Sequence, residues 1–313
     1  MSDPATGPHP LPTLRTGDLA VVRQGKQVLD AVNITVESGS VHGLVGPNGS
    51  GKSTLLHAVA GLIEHSGVVQ RFGEVALMSG QSGYHPSRRL ADHLRLLARQ
   101  PGTDTEQLGL LTRRFGLTDL MQRAPRAMSL GQQRAVSLLA PLASTADLIL
   151  LDEPFLALDA ERVGVLESLI REYSSAGRTL LVSSHEPHPL SRVVTHVLFL
   201  RRGEVAFHGT MANLLDLIRP ARVRVQAPEV AAWAEAALDE WSATIERDET
   251  CGFLLNGVTM SQVLDVSHQR RLAITGIWEE SPTLEEALGL PSGPTPDPMA
   301  PAAMPATIGG ARP

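Results

Sequence analysis

Residues 46–53 read GPNGSGKS, and this stretch decides the class of fold. It fits the pattern G-x-x-x-x-G-K-[ST] and lies between an apolar predicted strand, Val41–Val45, and a predicted helix at 52–60. A glycine-rich loop lets backbone N–H groups turn inward around a phosphate, and the following helix points its positive end at the same anion. The stretch therefore predicts a nucleotide phosphate site on a sheet of the α/β class.

The loop also supplies a cation and a hydroxyl. We expect the Lys52 ammonium to reach between the β- and γ-phosphates and Ser53 to hold Mg²⁺. A chance match is expected in roughly 1 in 500 chains of this composition. The pattern alone does not separate kinases, GTPases, helicases and transport ATPases, since all of them share this phosphate grip. The predicted phosphate-binding residues are Gly46, Asn48, Gly49, Gly51, Lys52, Ser53 and Thr54.

Two adjacent carboxylates follow a second apolar strand. Leu148–Leu151 ends at Asp152 and Glu153, which places both at the carboxyl edge of the predicted sheet, where nucleotide sites of open α/β sheets lie. We expect Asp152 to face the metal through water and Glu153 to act as general base toward a water behind the γ-phosphate. Taken alone, an acidic pair after a strand is equally typical of a solvated helix N-terminus.

The rest of the chain alternates short apolar runs with longer helical patterns, which is typical of a mainly parallel sheet covered by helices. Ile34 and Val36 alternate with polar neighbours, which predicts an antiparallel flank with one solvent-facing side. Further predicted strands are Val75–Ser79, Thr179–Ser183 and Val197–Arg201, and further predicted helices are 89–99, 130–143 and 160–173.

After about residue 215 the pattern changes to βαββαβ, the element order of ferredoxin-like modules. All three tryptophans, Trp233, Trp241 and Trp278, fall in this part, and core packing is their expected role. The predicted elements are strand 222–226, helix 228–240, strands 243–248 and 252–256, helix 260–270 and strand 272–278.

Composition excludes several classes of protein. The chain has 313 residues, a net charge of −6 and no basic stripe, so nucleic acid is not an expected partner. Cys251 is the only cysteine, which excludes an intrachain disulfide and favours a reducing compartment. No apolar run approaches the ~18 to 20 residues of a membrane span, and the N-terminus lacks the blocks of a signal peptide. We therefore expect any membrane role to come through a partner.

Length and composition predict two folded domains between two tails, because the proline-rich ends contain too little apolar surface to fold. The predicted units are a disordered tail at 1–13, a nucleotide-binding domain at 14–215, a small α+β domain at 216–290 and a disordered proline-rich tail at 291–313.

Across roughly residues 14–215 the motifs and their order resemble the ATP-binding subunits of ABC transporters. Gln81, after the predicted strand that ends at Ser79, resembles the Q-loop glutamine. Residues 128–132, MSLGQ, resemble the LSGGQ signature, residues 156–159, LALD, resemble the D-loop, and residues 183–185, SSH, resemble the H-loop. The implied fold is a P-loop NTPase of the ABC type, with a flanking antiparallel sheet and a helical subdomain.

The resemblance also implies roles. Ser129 is a good N-cap, so the helix after it offers a second anion site, which is expected to close over the ATP of another subunit in a head-to-tail homodimer or heterodimer. His185 is expected to contact the γ-phosphate and hold the attacking water. The resemblance adds Gln81, Ser129, Gly131, Gln132 and Asp159 to the nucleotide-binding residues, and makes Ser53, Gln81 and Asp152 the Mg²⁺ set.

The implied function is to hydrolyse MgATP and power a separate transmembrane permease, with the chain held peripherally at the cytoplasmic face of the membrane. The C-terminal module resembles the appendage of ATPases from two-component bacterial exporters, and Ser281–Leu288 is similar to their closing segment. Export of a small molecule, drug or peptide is therefore expected. Two alternatives stay open: an ABC-type ATPase that does mechanical work on a non-transport partner, and a non-hydrolysing regulatory subunit.

One departure from the family concerns adenine. Family members usually stack the base on an aromatic residue before the P-loop, but the first aromatic residue here is Phe72. Val22 or Gln24 falls near the expected place. We therefore predict weak nucleotide affinity and poor discrimination between ATP and GTP.

Overall fold

The structure is a computed structural model that describes residues 12–80, 84–185, 190–218, 222–241, 245–247 and 252–280. Its strands, in chain order, are β1 (Pro12–Arg23), β2 (Lys26–Glu37), β3 (Val41–Val45), β4 (Ser66–Arg71), β5 (Val75–Met78), β6 (Leu148–Leu151), β7 (Thr179–Ser184), β8 (His196–Arg201), β9 (Glu204–Thr210), β10 (Arg222–Gln226), β11 (Ile245–Arg247), β12 (Gly252–Asn256) and β13 (Gly276–Glu280). Its helices are α1 (Lys52–Val59), α2 (Leu90–Leu97), α3 (Thr105–Arg114), α4 (Leu130–Ala143), α5 (Ala160–Ser175), α6 (Met211–Ile218), α7 (Val230–Trp241) and α8 (Met260–Arg270).

The central sheet has six strands in the order β5-β6-β7-β3-β8-β9. The first five strands in this order, β5, β6, β7, β3 and β8, are parallel to one another, and β9 is antiparallel to β8. Because helices and a second sheet cover its faces, the inner strands are mainly apolar and are buried on both sides. This arrangement confirms the predicted mainly parallel, helix-covered sheet, and β3 and β6 have the predicted bounds.

The predicted antiparallel flank is a three-stranded sheet in the order β2-β1-β4. Ile34 and Val36 are buried, as their alternation predicts. The first strand begins at Pro12, so residues 12 and 13 of the predicted tail at 1–13 belong to a strand. Thr13 is buried and its hydroxyl lies 2.8 Å from the hydroxyl of Thr179 on β7, which ties the start of β1 to the central sheet.

Apolar side chains fill both faces of the central sheet. Alternation along each strand sends neighbours to opposite sides, so Leu44 packs toward the flank while Val45 packs toward the helices. The helix-side core includes residues of α3, α4 and α5. In the described residues, none of the helices is both long and apolar enough to cross a membrane.

The C-terminal module has a four-stranded antiparallel sheet in the order β11-β12-β10-β13. With α7 and α8 in the connections, this is the ferredoxin-like βαββαβ order that the sequence predicts. The last strand begins at Gly276 rather than at the predicted residue 272. Leu272 and Ile274 pack against the core without joining the sheet, so their apolar character misplaced the start of the strand.

Trp233 is completely buried, with its ring centroid 5.7 Å from that of Phe253, as expected of a core residue. Trp241 is partly buried against the same core. Trp278, in contrast, is 39% exposed, so core packing is wrong as its only role. The segment Ser281–Leu288 and both outer tails lie outside the described residues, and the domain boundaries remain predictions.

Candidate nucleotide-binding site

The P-loop connects β3 to α1 at the carboxyl edge of the central sheet. The Lys52 ammonium is buried and donates hydrogen bonds to the carbonyl oxygens of Gly46 and Pro47, at 2.7 and 3.2 Å. Gly51 caps α1 with a φ of 108°, and a Cβ built there would lie 2.7 Å from Leu29 Cδ2. Both the conformation and the space therefore require glycine at this position.

The remaining loop residues differ in exposure. Asn48, Gly49 and Ser53 are exposed, whereas Thr54 is buried on the first turn of α1. The exposed positions surround the free N–H groups at the start of α1, where an incoming phosphate would be bound.

The charge on Lys52 depends on its acidic neighbours. Its Nζ lies 4.0 Å from Glu153 Oε1. Burial lowers the pKa of the Lys52 ammonium, and the negative charges of Glu153 and Asp152 oppose that shift. A triphosphate would add further negative charge beside the ammonium and favour its protonated form.

Asp152 and Glu153 follow β6 and are linked by a hydroxyl. The Ser183 hydroxyl on β7 donates to Asp152 Oδ1 at 2.7 Å, and the Glu153 N–H donates to the same Ser183 oxygen at 2.9 Å. Glu153 has a φ of 52°, a left-handed conformation that is uncommon for a residue with a side chain. Such conformations concentrate at functional sites, because the surrounding structure must offset their strain.

His185 completes this cluster. Its ring Nδ1 lies 2.8 Å from Glu153 Oε2, and its backbone N–H donates to the same oxygen at 3.2 Å. Glu153 therefore contacts His185 through one carboxylate oxygen and lies near Lys52 through the other. The structure thus brings together Lys52, Asp152, Glu153 and His185, from the ends of β3, β6 and β7, in what we call the Lys52–His185 cluster.

The signature segment lies at the start of α4. The Ser129 hydroxyl accepts from the Gln132 N–H at 3.2 Å, and the Gln132 side chain accepts from the Ser129 N–H at 3.0 Å. This reciprocal capping box confirms the predicted N-cap. Leu130 is 73% exposed, and a Cβ built at Gly131 would lie 2.7 Å from the carbonyl oxygen of Ala157. The segment therefore packs directly on the predicted D-loop.

Asp159 ends the D-loop and caps α5. Its carboxylate accepts from the Arg162 N–H at 2.9 Å and also pairs with the Arg162 guanidinium. The predicted nucleotide role of Asp159 remains a prediction. Gln81 lies outside the described residues, so its predicted contacts with Mg²⁺ remain predictions too.

Two residues of this region had no role in the sequence analysis. Ser183 links Asp152 to Glu153, and its one signal in the sequence is a polar residue at the end of an otherwise apolar strand. Arg134 donates to the carbonyl oxygen of Leu156 at 3.3 Å. Burial lowers the pKa of Arg134, while the negative charges of Asp152 and Glu153 oppose that shift. No local motif marks Arg134, because Leu156 is 22 residues away in the sequence.

The oxygen donors at this edge fit Mg²⁺. Asp152 is buried, and its Oδ2 faces Gly80, where a built Cβ would lie 3.6 Å away. Asp152 therefore keeps one carboxylate oxygen toward the loop that leads to Gln81. Carboxylate, hydroxyl and amide oxygens are the ligands that Mg²⁺ prefers.

The position expected to stack adenine lacks a ring. Val22 on β1 is 61% exposed, and Gln24 lies in the turn between β1 and β2 with a φ of 52°. The structure thus offers an exposed aliphatic side chain and a turn residue where family members usually place an aromatic one.

Comparison with known proteins agrees with this geometry. The family profile described as ABC transporter matches residues 29–156. The cytochrome c biogenesis ATP-binding export protein CcmA of Gluconobacter oxydans is 36% identical over 198 residues, covering 63% of this chain and 92% of the relative. The tungstate uptake system ATP-binding protein TupC of Peptoclostridium acidaminophilum is 30% identical over 196 residues, covering 58% of this chain and 91% of the relative.

A solved structure titled as the ATP binding subunit of an ABC transporter superposes with a TM-score of 0.61 at 26% identity, and the match covers 66% of this chain and 92% of that one. The sheet order, the Lys52–His185 cluster and these relatives agree. The chain belongs to the ATP-binding subunits of ABC transporters, whose general reaction is ATP hydrolysis.

Proposed function

We propose that this chain hydrolyses MgATP as one half of a head-to-tail dimer and thereby drives export through a separate membrane permease. The observation that carries the proposal is the Lys52–His185 cluster, in which a cation, two carboxylates and an imidazole converge at the carboxyl edge of one sheet. Nucleotide sites of open α/β sheets lie at this edge.

Each member of the cluster has a distinct role in the proposal. Lys52 and the free N–H groups at the start of α1 bind the phosphates. Glu153 takes the proton of the attacking water, and His185, held by Glu153 at 2.8 Å, positions that water against the γ-phosphate. Ser53, Gln81 and Asp152 would hold Mg²⁺, which supplies positive charge to the β- and γ-phosphate oxygens.

The signature segment supports a dimeric site. Ser129 leaves a capped helix N-terminus beside the exposed Leu130, and a helix N-terminus favours anions. In the proposal, Ser129, Gly131 and Gln132 meet the ATP bound by the P-loop of a second copy or of a related subunit. Asp159 lies in the D-loop that packs on this segment, so closing the dimer would also place Asp159 near the nucleotide.

The proposed direction and substrate come from the relatives and from the C-terminal module. The relative with 36% identity is named as an export protein, whereas the one with 30% identity is named as part of an uptake system. The ferredoxin-like module resembles the appendage of two-component exporters, and this favours export of a small molecule, drug or peptide. The permease places the chain peripherally at the cytoplasmic face of the membrane in this proposal.

The test uses Glu153→Gln, which keeps the size of the side chain but removes its basicity. We expect the variant to bind ATP, to hydrolyse it at least on the order of 10²-fold more slowly, and to accumulate as a closed dimer. Phosphate release and light scattering after size-exclusion chromatography measure the two effects. Glu161→Gln, an exposed change in the first turn of α5, is the matched control and should behave like the wild type.

Undiminished hydrolysis by Glu153→Gln would contradict its role as base. A variant that binds ATP and stays monomeric at high concentration, even with its membrane subunit, would contradict the dimer. Co-purification with a polytopic subunit from detergent-solubilised membranes separates transport from mechanical work on a soluble partner. Nucleotide binding without any phosphate release by the wild type would favour the regulatory alternative.

A further inference from the structure

A second polar cluster lies at the opposite, amino-terminal edge of the central sheet. His42 is the second residue of β3 and stands beside His196, the first residue of β8, in the parallel register. Their rings are stacked, with centroids 4.6 Å apart and planes 6° from parallel. Glu37, the last residue of β2, closes the group from the flanking sheet. Its Oε2 lies 3.4 Å from His42 Nε2 and 4.0 Å from His196 Nε2.

His42 is fully buried and its ring is unsatisfied. Within the described residues, neither Nδ1 nor Nε2 of His42 has a hydrogen-bond partner, and neither does Glu37 Oε2. Leaving a buried polar atom unpaired costs about 1–3 kcal/mol. A buried imidazole without partners in a strand of apolar residues therefore needs a physical explanation.

His196 is held by an adjacent hydroxyl. The Thr195 hydroxyl donates to the carbonyl oxygen of Val41 at 3.1 Å and lies 3.0 Å from His196 Nδ1. Because the Thr195 hydroxyl donates its proton to Val41, it can only accept from His196, whose Nδ1 then carries the hydrogen. The lone pair of the His196 ring is then on Nε2. That lone pair faces the carboxylate of Glu37, an arrangement of two acceptors that a cation between them would stabilise.

Other imidazoles surround the His42 ring. Burial, together with the neighbouring His196 and His208, lowers the pKa of His42 to about 2. His208, on β9, lies with its ring centroid 5.5 Å from that of His42.

We propose that Glu37, His42 and His196 form a binding site for a divalent first-row transition-metal ion, with Zn²⁺ as the best fit. One ligand atom from each residue lies within 4.8 Å of the other two. Ligand atoms around a tetrahedral Zn²⁺ are about 3.3 Å apart, so binding requires side-chain shifts of about 1 Å and a rotation of one imidazole out of the stacked arrangement, which directs both lone pairs at one ion. Two imidazoles and one carboxylate favour Zn²⁺ over Mg²⁺ or Ca²⁺, which prefer oxygen ligands.

The fourth coordination position faces an open groove. Glu37, His196 and His208 line this groove together with Asn33 and Thr210, so water or a small anion can reach the ion. The site joins β2 of the flank to β3 and β8 of the central sheet. It is separate from the nucleotide site, because four residue steps of extended strand, about 13 Å, separate His42 from Gly46.

The experiment measures Zn²⁺ binding to the untagged full-length chain after removal of metals with a chelator. Competition with a chromophoric chelator should show one saturable Zn²⁺ per chain. Glu37→Gln and His196→Gln, both at partly exposed positions, should each weaken binding by roughly tenfold or more. His65→Gln removes an exposed histidine on the loop before β4 and is the matched control, with unchanged binding.

Two further readouts separate a built site from surface binding. X-ray absorption of the Zn²⁺-loaded protein should show N/O ligands at about 2.0–2.1 Å. Zn²⁺ should raise the melting temperature of the wild type and of His65→Gln, but not of Glu37→Gln or His196→Gln. The proposal is overturned if no saturable binding occurs, if both ligand variants bind like the wild type, or if His65→Gln loses binding equally.

Discussion

The two edges of the central sheet carry polar clusters that differ in how their hydrogen bonds are satisfied. At the carboxyl edge, Lys52, Glu153 and His185 contact one another or the P-loop backbone, and Asp152 accepts a hydrogen bond from Ser183. At the amino edge, His42 is buried with both ring nitrogens unpartnered within the described residues. The first cluster is held in place by the protein itself, and the second is one that a bound cation would complete. The difference shows that one strand, β3, positions two distinct chemistries at its two ends.

The largest expected effect is on ATP hydrolysis, and it tests whether the two edges of the central sheet act independently. Lys52→Ala should reduce ATP hydrolysis by on the order of 10²–10³-fold, because it removes a positive charge aimed at the phosphates. Binding of Zn²⁺ at the amino edge should be unchanged. Phosphate release and the Zn²⁺ competition assay measure these two effects on one preparation.

The control is Lys26→Ala, which removes the only other lysine of the chain, at an exposed position at the start of β2. It should hydrolyse ATP like the wild type. Retained hydrolysis in Lys52→Ala would refute the phosphate site, and loss of Zn²⁺ binding in the same variant would show that the two edges are not independent.

A smaller effect tests whether the carboxyl-edge cluster depends on Ser183. Ser183→Ala removes the donor to Asp152 and the acceptor of the Glu153 N–H. We expect the free energy of unfolding to fall by about 1–3 kcal/mol, since buried polar groups lose their partner. Hydrolysis should also slow, because Glu153 loses support for its left-handed conformation.

Urea unfolding and phosphate release check this prediction. Ser168→Ala is the comparison variant, because the Ser168 hydroxyl bonds only at the surface of α5, to Glu172. If both serine variants lower the free energy of unfolding equally, the Ser183 link between Asp152 and Glu153 stabilises the protein no more than a surface hydrogen bond does.

The smallest expected effect concerns the base of the nucleotide. Val22→Tyr should raise ATP affinity about tenfold, because stacking of a base on an aromatic ring contributes roughly 1–3 kcal/mol. Fluorescent-nucleotide titration with ATP and GTP as competitors measures the change. The control is Val68→Tyr, which changes an exposed valine on β4 and should leave the affinity for ATP unchanged. Strong ATP preference in the wild type would contradict the predicted poor discrimination between ATP and GTP.

Much of the fold was predictable because the signals are local. β6 is an uninterrupted apolar run, β3 is apolar apart from His42 and Gly43, and α4 follows a serine that forms a capping box, so their bounds follow from a few neighbouring residues. The start of β13 was wrong, since Leu272 and Ile274 are apolar for packing and not for strand pairing. Periodicity does not distinguish these two reasons for burial.

The same difference between local signals and distant contacts applies to the residues of the candidate sites. The P-loop and the acidic pair after β6 can be recognised without a structure, because each is a contiguous motif whose chemistry depends on adjacent residues. Other contacts come from the folded structure: Ser183 bonds to the Asp152 carboxylate and the Glu153 N–H, Arg134 donates to the Leu156 carbonyl oxygen, and His42 stacks on His196. These contacts join residues that are 22 to 154 positions apart, and the packing of strands and helices, which no local pattern encodes, brings them together.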